Sequence, residues 1–363
     1  MAAQRVDRLE KTAPWSATEL KELILLLAKC CGMFRLSRWI TRRDLRILAY
    51  HGIWIGSGHF GNYLYMSADK FSRRMRQLKA LNMPVLPLGE ALSRMDSGTL
   101  PDQAVVLTID DGWYSTYLHM LPELEAQHFP ATLYLTTYYA ENPYPVFEVL
   151  IEYMFSQTAE RSIDPAKLGV GVGAGMAISD AGDRDRAKLM VKTYASEMDD
   201  ERSRQAFARK LGRELGVDYE YLLENRVFNL VSLEQAADMF RRGLDIQLHT
   251  HRHRVSHRGD ACLARELDDN RASLDKVITG RREHFCYPSG IYDVSLWPVL
   301  SSAGIVSATT TDVGLVRQDT PRYALPRILD GEQVSDIEFE AELSGLLELK
   351  RRILRVFRNG RVN

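Results

Sequence analysis

Cysteine is scarce in this chain, and the few residues present are badly spaced for crosslinks or structural metal. Four occur in 363 residues, the adjacent Cys30 and Cys31 and the distant Cys262 and Cys286, giving neither a disulfide framework nor a CxxC pair. Reduced thiols in a cytoplasmic protein are the plain expectation. An excess of one charge is also missing. Lys plus Arg number 47 against 48 for Asp plus Glu, a formal charge of -1, so nothing in the balance calls for nucleic acid. Long hydrophobic runs are absent: the longest purely apolar stretch, 23–28, is cut by Lys29, far short of the ~20 residues of a membrane span. The mixed-charge start, MAAQRVDRLEK, lacks the apolar core of a secretory signal, so export is not expected. The glycine-rich piece 169–175 (GVGVGAG) has neither GxGxxG spacing nor a following GK[ST], and reads as a surface loop rather than a phosphate cradle. What remains is an ordinary globular composition, 45% apolar and 26% charged, which argues against disorder.

Both ends of the chain read as helical. Ser16-Ala-Thr-Glu19 is a capping-box pattern opening a run with Leu20, Leu23, Ile24, Leu27 and Cys31 at helical spacing. Arg35, Arg38, Arg42, Arg43 and Arg46 follow. An apolar helix with a basic flank suits peripheral contact with a membrane interface beside anionic lipid. The plainer reading, which we prefer from sequence, is a stripe docked on its own domain. The segment 336–357 places acids early and bases late, complementing the helix dipole, and its basic end reads as a solvated terminus. The expected organisation is an N-terminal amphipathic helix and linker (1–44), a main domain (45–335) with a helical insertion (142–229), and a C-terminal helix (336–363).

Within the main domain, β-rich runs at 46–50, 105–109, 131–136, 245–248, 284–287 and 307–309 alternate with helical stretches, which predicts an α/β sheet or barrel. Three segments put polar residues where such a run ends. In Val105-Val-Leu-Thr-Ile-Asp110-Asp111-Gly112, a strand leads into two adjacent carboxylates; turn chemistry is the bland alternative. In Asp245-Ile-Gln-Leu-His249-Thr250-His251-Arg252-His253, two histidines stand four apart, which on a helical turn shares one face. Two imidazoles and a carboxylate would make an open, catalytic type of zinc site. A surface histidine cluster, or the second register His253 with His257, remains an alternative. The third segment, His284-Phe-Cys-Tyr287-Pro288-Ser289-Gly290, is a tight loop that can aim backbone N–H groups at a ligand.

In this order the three segments resemble the polysaccharide deacetylase family, carbohydrate esterase family four, whose members share the NodB homology domain. The family's TFDDG-like motif reads Thr108-Ile-Asp-Asp-Gly112, its H[ST]xxH motif reads His249-Thr-His-Arg-His253, and its aromatic-Pro-x-Gly loop resembles Tyr287-Pro-Ser-Gly290. Pro130-Ala-Thr-Leu-Tyr134 and Ala324-Leu-Pro-Arg-Ile328 resemble two further family segments. The resemblance implies an α/β fold, a distorted (β/α) barrel with a helical insertion and terminal helices, its site at the carboxyl ends of the strands. It implies Asp111, His249 and His253 as ligands of a divalent metal, Zn2+ first, with Co2+, Ni2+ or Fe2+ also suited. Asp110 would be the general base, and the backbone N–H of Tyr287 an oxyanion donor. Two departures matter. Cys286 and Tyr287 stand where the family often carries a base-orienting arginine, which makes Arg327 the candidate replacement. No histidine follows His284 to act as the late acid, so His51, in the early Tyr50-His51 pair, is the candidate.

The activity so implied is removal of an N-acetyl group from a sugar in a polysaccharide or glycolipid precursor. Lipid-linked, nucleotide-linked and free saccharides all fit this reading, and the protein is expected in the cytoplasm or on the inner face of the membrane. Trp54, Trp113, Tyr114, Tyr117 and Tyr292 lie near the motifs and could stack on a sugar or belong to the core. The alternatives are a metal hydrolase of non-sugar amides or formamides, and a catalytically silent carbohydrate-binding relative. Oligomeric state is left open.

Overall fold

The computed structural model describes residues 16–56, 58, 60–170, 175–255 and 260–359. The chain divides into two compact units, one of Met1–Arg42 with Val334–Asn363, the other of Arg43–Gln333.

The larger unit is a closed barrel of seven strands: β1 (Arg46–Tyr50), β2 (Val105–Asp111), β3 (Thr132–Leu135), β4 (Asp245–Leu248), β5 (His284–Cys286), β6 (Ser307–Val313) and β7 (Leu325–Leu329). Neighbours follow chain order, every pairing is parallel, and β7 returns to β1. Parallel strands need crossovers, and helices such as Ala68–Ala80, Leu121–Gln127, Leu233–Arg241 and Asp260–Asp275 supply them. Strands covered on both faces read as continuous apolar runs, which is why β1 and β2 are buried along their full length. This is the (β/α) barrel expected from the motifs. The sequence reading omits one strand, β7. Its Leu325-Pro-Arg-Ile-Leu carries a proline and an arginine, both poor strand signals, yet the arginine points to a functional partner described below.

Between β3 and β4 the chain builds helices Phe147–Gln157, Ala181–Ser196, Glu201–Leu215 and Tyr219–Glu224, with a short antiparallel pair at Ser162–Ile163 and Met176–Ala177. Their apolar faces close a core of Leu150, Met154, Phe207 and Leu211 that also takes in Trp54, Tyr65 and Trp113. Part of the glycine-rich loop, 171–174, lies outside the described residues.

The smaller unit holds α1 (Ala17–Cys30), α2 (Met33–Ile40), α3 (Asp336–Leu343) and α4 (Leu346–Asn359). The capping box that opens α1 forms in full: Glu19 N donates to Ser16 Oγ at 3.2 Å, and Ser16 N to Glu19 Oε2 at 2.8 Å. The unit's small core is Leu25, Phe34 and Ala341. The Leu20, Leu23, Ile24, Leu27 stripe is not docked as preferred from sequence; it is exposed, and α1 buries the face of Leu25 instead. The basic end of α4 is not merely solvated either. Arg351 donates to both Glu342 oxygens, at 2.8 and 2.7 Å, and to Glu348 at 3.0 Å.

Candidate active site

Barrel register brings the chemistry-bearing residues to one rim. Asp111 is level with Leu135, Leu135 with Leu248, and Tyr50 with Ile109, so β1, β2, β3 and β4 end together. His51, Asp110, Asp111 and His249 therefore emerge side by side. The chain turns sharply here: Asp111 has φ 70° and Gly112 φ 92°. Glycine is required at 112, because a Cβ there would stand 2.2 Å from Leu135 Cδ1.

His249 Nε2 and His253 Nε2 each lie 3.2 Å from Asp111 Oδ1. One ligand atom from each of the three residues lies within 4.8 Å of the others. His249 Nδ1 is 2.8 Å from the Cys286 carbonyl, so that nitrogen carries a proton, and Nε2 is turned to Asp111. An imidazole tautomer fixed by a backbone carbonyl is a recurrent support of metal-ligating histidines. Burial pushes the Asp111 carboxyl up, but hydrogen bonds from His249 and His253 hold it well below the usual carboxylate range. Asp111 and His249 are buried while His253 is partly exposed, leaving one side of the cluster open. Two imidazoles, one anionic carboxylate and an open side fit a divalent cation of the catalytic kind.

The two histidines do not share a helical turn, as their spacing suggested. Residues 249–253 form a loop in which Thr250 has φ 64° and His253 φ 54°. A β-branched residue in the left-handed region is strained, and such strain persists only where surroundings enforce it. Here Arg254 N donates to Thr250 Oγ1 at 3.1 Å, Thr136 Oγ1 to the His249 carbonyl at 3.1 Å, and His249 N to Asn270 Oδ1 at 3.0 Å. His257, the partner in the alternative register, lies outside the described residues.

Asp110 has a different neighbour. Arg327 on β7 grips it with both arms, Nη1 to Oδ1 at 2.8 Å and Nη2 to Oδ2 at 2.7 Å. The guanidinium is itself fixed by the Thr310 carbonyl at 2.8 Å and by Thr108 Oγ1 at 3.2 Å. Burial raises the Asp110 carboxyl and the Arg327 charge overrides it, so the group stays below its ordinary value and ionised. The Cys286 thiol stands 3.6 Å from Asp110 Oδ2. His51, just past β1, places Nε2 3.7 Å from the same oxygen. Tyr287 departs from expectation. Its N–H donates to the Thr309 carbonyl at 3.2 Å, inside the β5–β6 pairing, so it is not an available oxyanion donor.

Two supporting residues were not singled out as functional from the sequence. Trp113 Nε1 donates to Asp111 Oδ2 at 2.9 Å, leaving Oδ1 to the histidines. Trp113 and Trp54 are buried in the core cluster, so they are not sugar platforms. Asn270 ties the His249 loop to the end of β3 through the Leu135 carbonyl at 3.0 Å and Thr137 Oγ1 at 2.9 Å. The tryptophan directly follows the Asp-Asp-Gly turn, a position that signals proximity but not the direction of its N–H. Replacing Trp113 by Phe keeps most of the ring volume and removes that N–H. We expect divalent-metal affinity to fall about 10- to 100-fold, as for lost outer-sphere supports elsewhere. Metal titration of the variant checks this; unchanged affinity would show that the bond does not orient Asp111.

Comparison with known proteins follows the same lines. The family described as polysaccharide deacetylase matches residues 196–308, a span holding His249, His253 and Tyr287 but not Asp110, Asp111 or His51. Among solved structures, the chain is similar to the Streptococcus pyogenes deacetylase PplD in complex with acetate. The TM-score is 0.55 at 17% identity, covering 84% of this chain and 99% of the other. It is also similar to IcaB from Ammonifex degensii, with TM-score 0.51 at 17% identity, covering 83% and 97% of the two chains. These likenesses are of fold. No curated protein matches the chain in sequence.

Proposed function

We propose that the chain hydrolyses the N-acetyl group of a saccharide, releasing acetate and a free amine: one segment matches the polysaccharide deacetylase family, and the barrel resembles deacetylases in fold. The observation that carries this reading is the division of labour between two adjacent carboxylates. Asp111 faces two imidazoles, whereas Asp110 faces a guanidinium 2.7–2.8 Å away. One is equipped as a ligand and the other as a base.

Asp111, His249 and His253 would hold a divalent cation, with zinc first and cobalt, nickel or iron also suited to the donor set. When bound, such an ion polarises an acyl carbonyl and makes water a better nucleophile near neutral pH. The chain's own residues supply the rest. Asp110, ionised and held in one orientation by Arg327, accepts a proton from the attacking water. The amine of an acetamide leaves only when protonated, and His51 on the same rim is the group that delivers that proton. Water contributes the hydroxyl that ends on acetate, and its proton balances the one given to nitrogen.

The substrate in this reading is an N-acetylated sugar of a polysaccharide or glycolipid precursor, handled in the cytoplasm. Support for that compartment is chemical: the four cysteines are free thiols, and Cys30, Cys31 and Cys262 are exposed. The test is an acetate-release screen of zinc-loaded protein over lipid-linked, nucleotide-linked and free N-acetylhexosamines, with formamides alongside. Acetate from a sugar substrate is expected. Formate release alone, or no turnover of any acetamide, would overturn the reading.

The acid assignment has a sharper test. His51→Ala should slow amide cleavage about 10²- to 10⁴-fold. An activated aryl acetate, whose leaving group needs no proton, should be cleaved at nearly the wild-type rate. Equal losses on both substrates would remove His51 from the role.

A further inference from the structure

The smaller unit carries most of the exposed apolar surface. Of the 22 large apolar side chains exposed among the described residues, 13 lie on α1, α2 and α4. They are ordered, not scattered. On α1, Leu20, Leu23, Ile24 and Leu27 run i, i+3, i+4, i+7 and are 36–57% exposed. On α2, Met33, Leu36 and Ile40 repeat the pattern, with Trp39 beside them, at 46–63%. On α4, Ile353, Val356 and Phe357 are 57–71% exposed. Each helix thus presents an apolar stripe outward, whereas a soluble surface scatters such side chains singly.

Charge indicates what the stripes meet. On α3 and α4, Glu338, Glu340, Glu342 and Glu348 are held in ion pairs; Asp336 and, on α1, Glu19 are exposed. Glu338 holds Lys21; Glu340 accepts Lys29 at 2.6 Å and Arg38 at 3.1 Å; Glu348 accepts Arg351 at 3.0 Å and Arg352 at 2.8 Å. Cations stand outside. Arg35 on α2 and Lys350 and Arg355 on α4 are exposed, and the Arg42 guanidinium lies 5.1 Å from the centre of the Trp39 ring. With four acids held in ion pairs and cations left beside the apolar stripes, the unit complements an anionic, apolar-backed surface.

We propose that this unit is an interfacial module that binds the surface of an anionic phospholipid bilayer. The stripes would enter the headgroup–acyl boundary, with Trp39 at the interface and the basic side chains at phosphate level. No helix among the described residues is long and apolar enough to cross a membrane, so the contact lies on the bilayer. A protein partner could cover the same apolar area, but the outward cations favour anionic lipid. The inference does not depend on the barrel's chemistry.

The experiment is flotation of the full chain with vesicles of mixed phosphatidylcholine and phosphatidylglycerol, against phosphatidylcholine alone. Wild type should bind the mixed vesicles and lose about tenfold or more in affinity on the neutral ones. The double variant Ile24→Glu/Leu27→Glu should lose at least about tenfold on the mixed vesicles. Arg35→Glu and Lys350→Glu should each lose about fivefold or more. Brominated lipid should quench tryptophan emission in wild type, and less in Trp39→Phe. All these side chains are exposed, and near-ultraviolet circular dichroism verifies that the variants fold. Three results would overturn the proposal: no binding to mixed vesicles, binding unchanged in Ile24→Glu/Leu27→Glu, or lipid-free self-association that the same double variant abolishes.

Discussion

Asp110→Asn should lower the rate of acetate release by about 10²- to 10⁴-fold, the span typical of a lost general base. The substitution is nearly isosteric, so the second half of the expectation matters equally: metal affinity stays at the wild-type level. Asp110 makes no contact with His249 or His253 comparable to the 3.2 Å approaches of Asp111. Its partner Arg327 also keeps its bonds to Thr310 and Thr108. Asp111→Asn should behave oppositely, losing metal and rate together. Measuring metal content and single-turnover acetate release on both variants separates the two roles. Full activity in Asp110→Asn would remove that residue as base, and metal loss there would make it a ligand.

Arg327→Met should cost about 3–5 kcal/mol of stability, because it strands a buried carboxylate that now has a bidentate partner. The sign with pH follows from the lowered carboxyl. A group held down in the folded state stabilises it above the unfolded value, about pH 4 for an aspartate, and loses that contribution as pH falls through the native value. Without the guanidinium only the His51 and His249 imidazoles oppose burial, and Asp110 takes up its proton at higher pH. The acid limb of kcat/KM should therefore move upward in Arg327→Met and recover in part in Arg327→Lys, which restores charge but not the fork. Denaturant melts and a pH profile read both effects. A profile identical to wild type would mean that Arg327 only packs.

How much of this was legible in the sequence depended on how local each signal was. Six of the seven strands are short β-rich runs with turn residues after them, and β1 and β4 fall at their expected bounds. The seventh was hidden because Pro326 and Arg327 are poor strand residues, and only barrel closure shows why they are tolerated. The histidine pair was legible by spacing, but the means of convergence was not. A strained loop with Thr250 at φ 64° replaces the helical turn, and backbone strain has no sequence period. The Tyr287 N–H could not be judged without knowing that β5 pairs with β6 at that level. The stripe on α1 was visible too. Which side of a helix faces its neighbours is a tertiary fact, and there the general expectation of a docked apolar face failed.

The central claim is that Asp111, His249 and His253 grip a single divalent ion, and stoichiometry tests it most directly. The purified full chain, equilibrated with zinc and desalted, should retain one equivalent per chain by elemental analysis, while His249→Ala treated identically should retain almost none. Negligible zinc in the wild type, or equal zinc in the two proteins, would contradict the account.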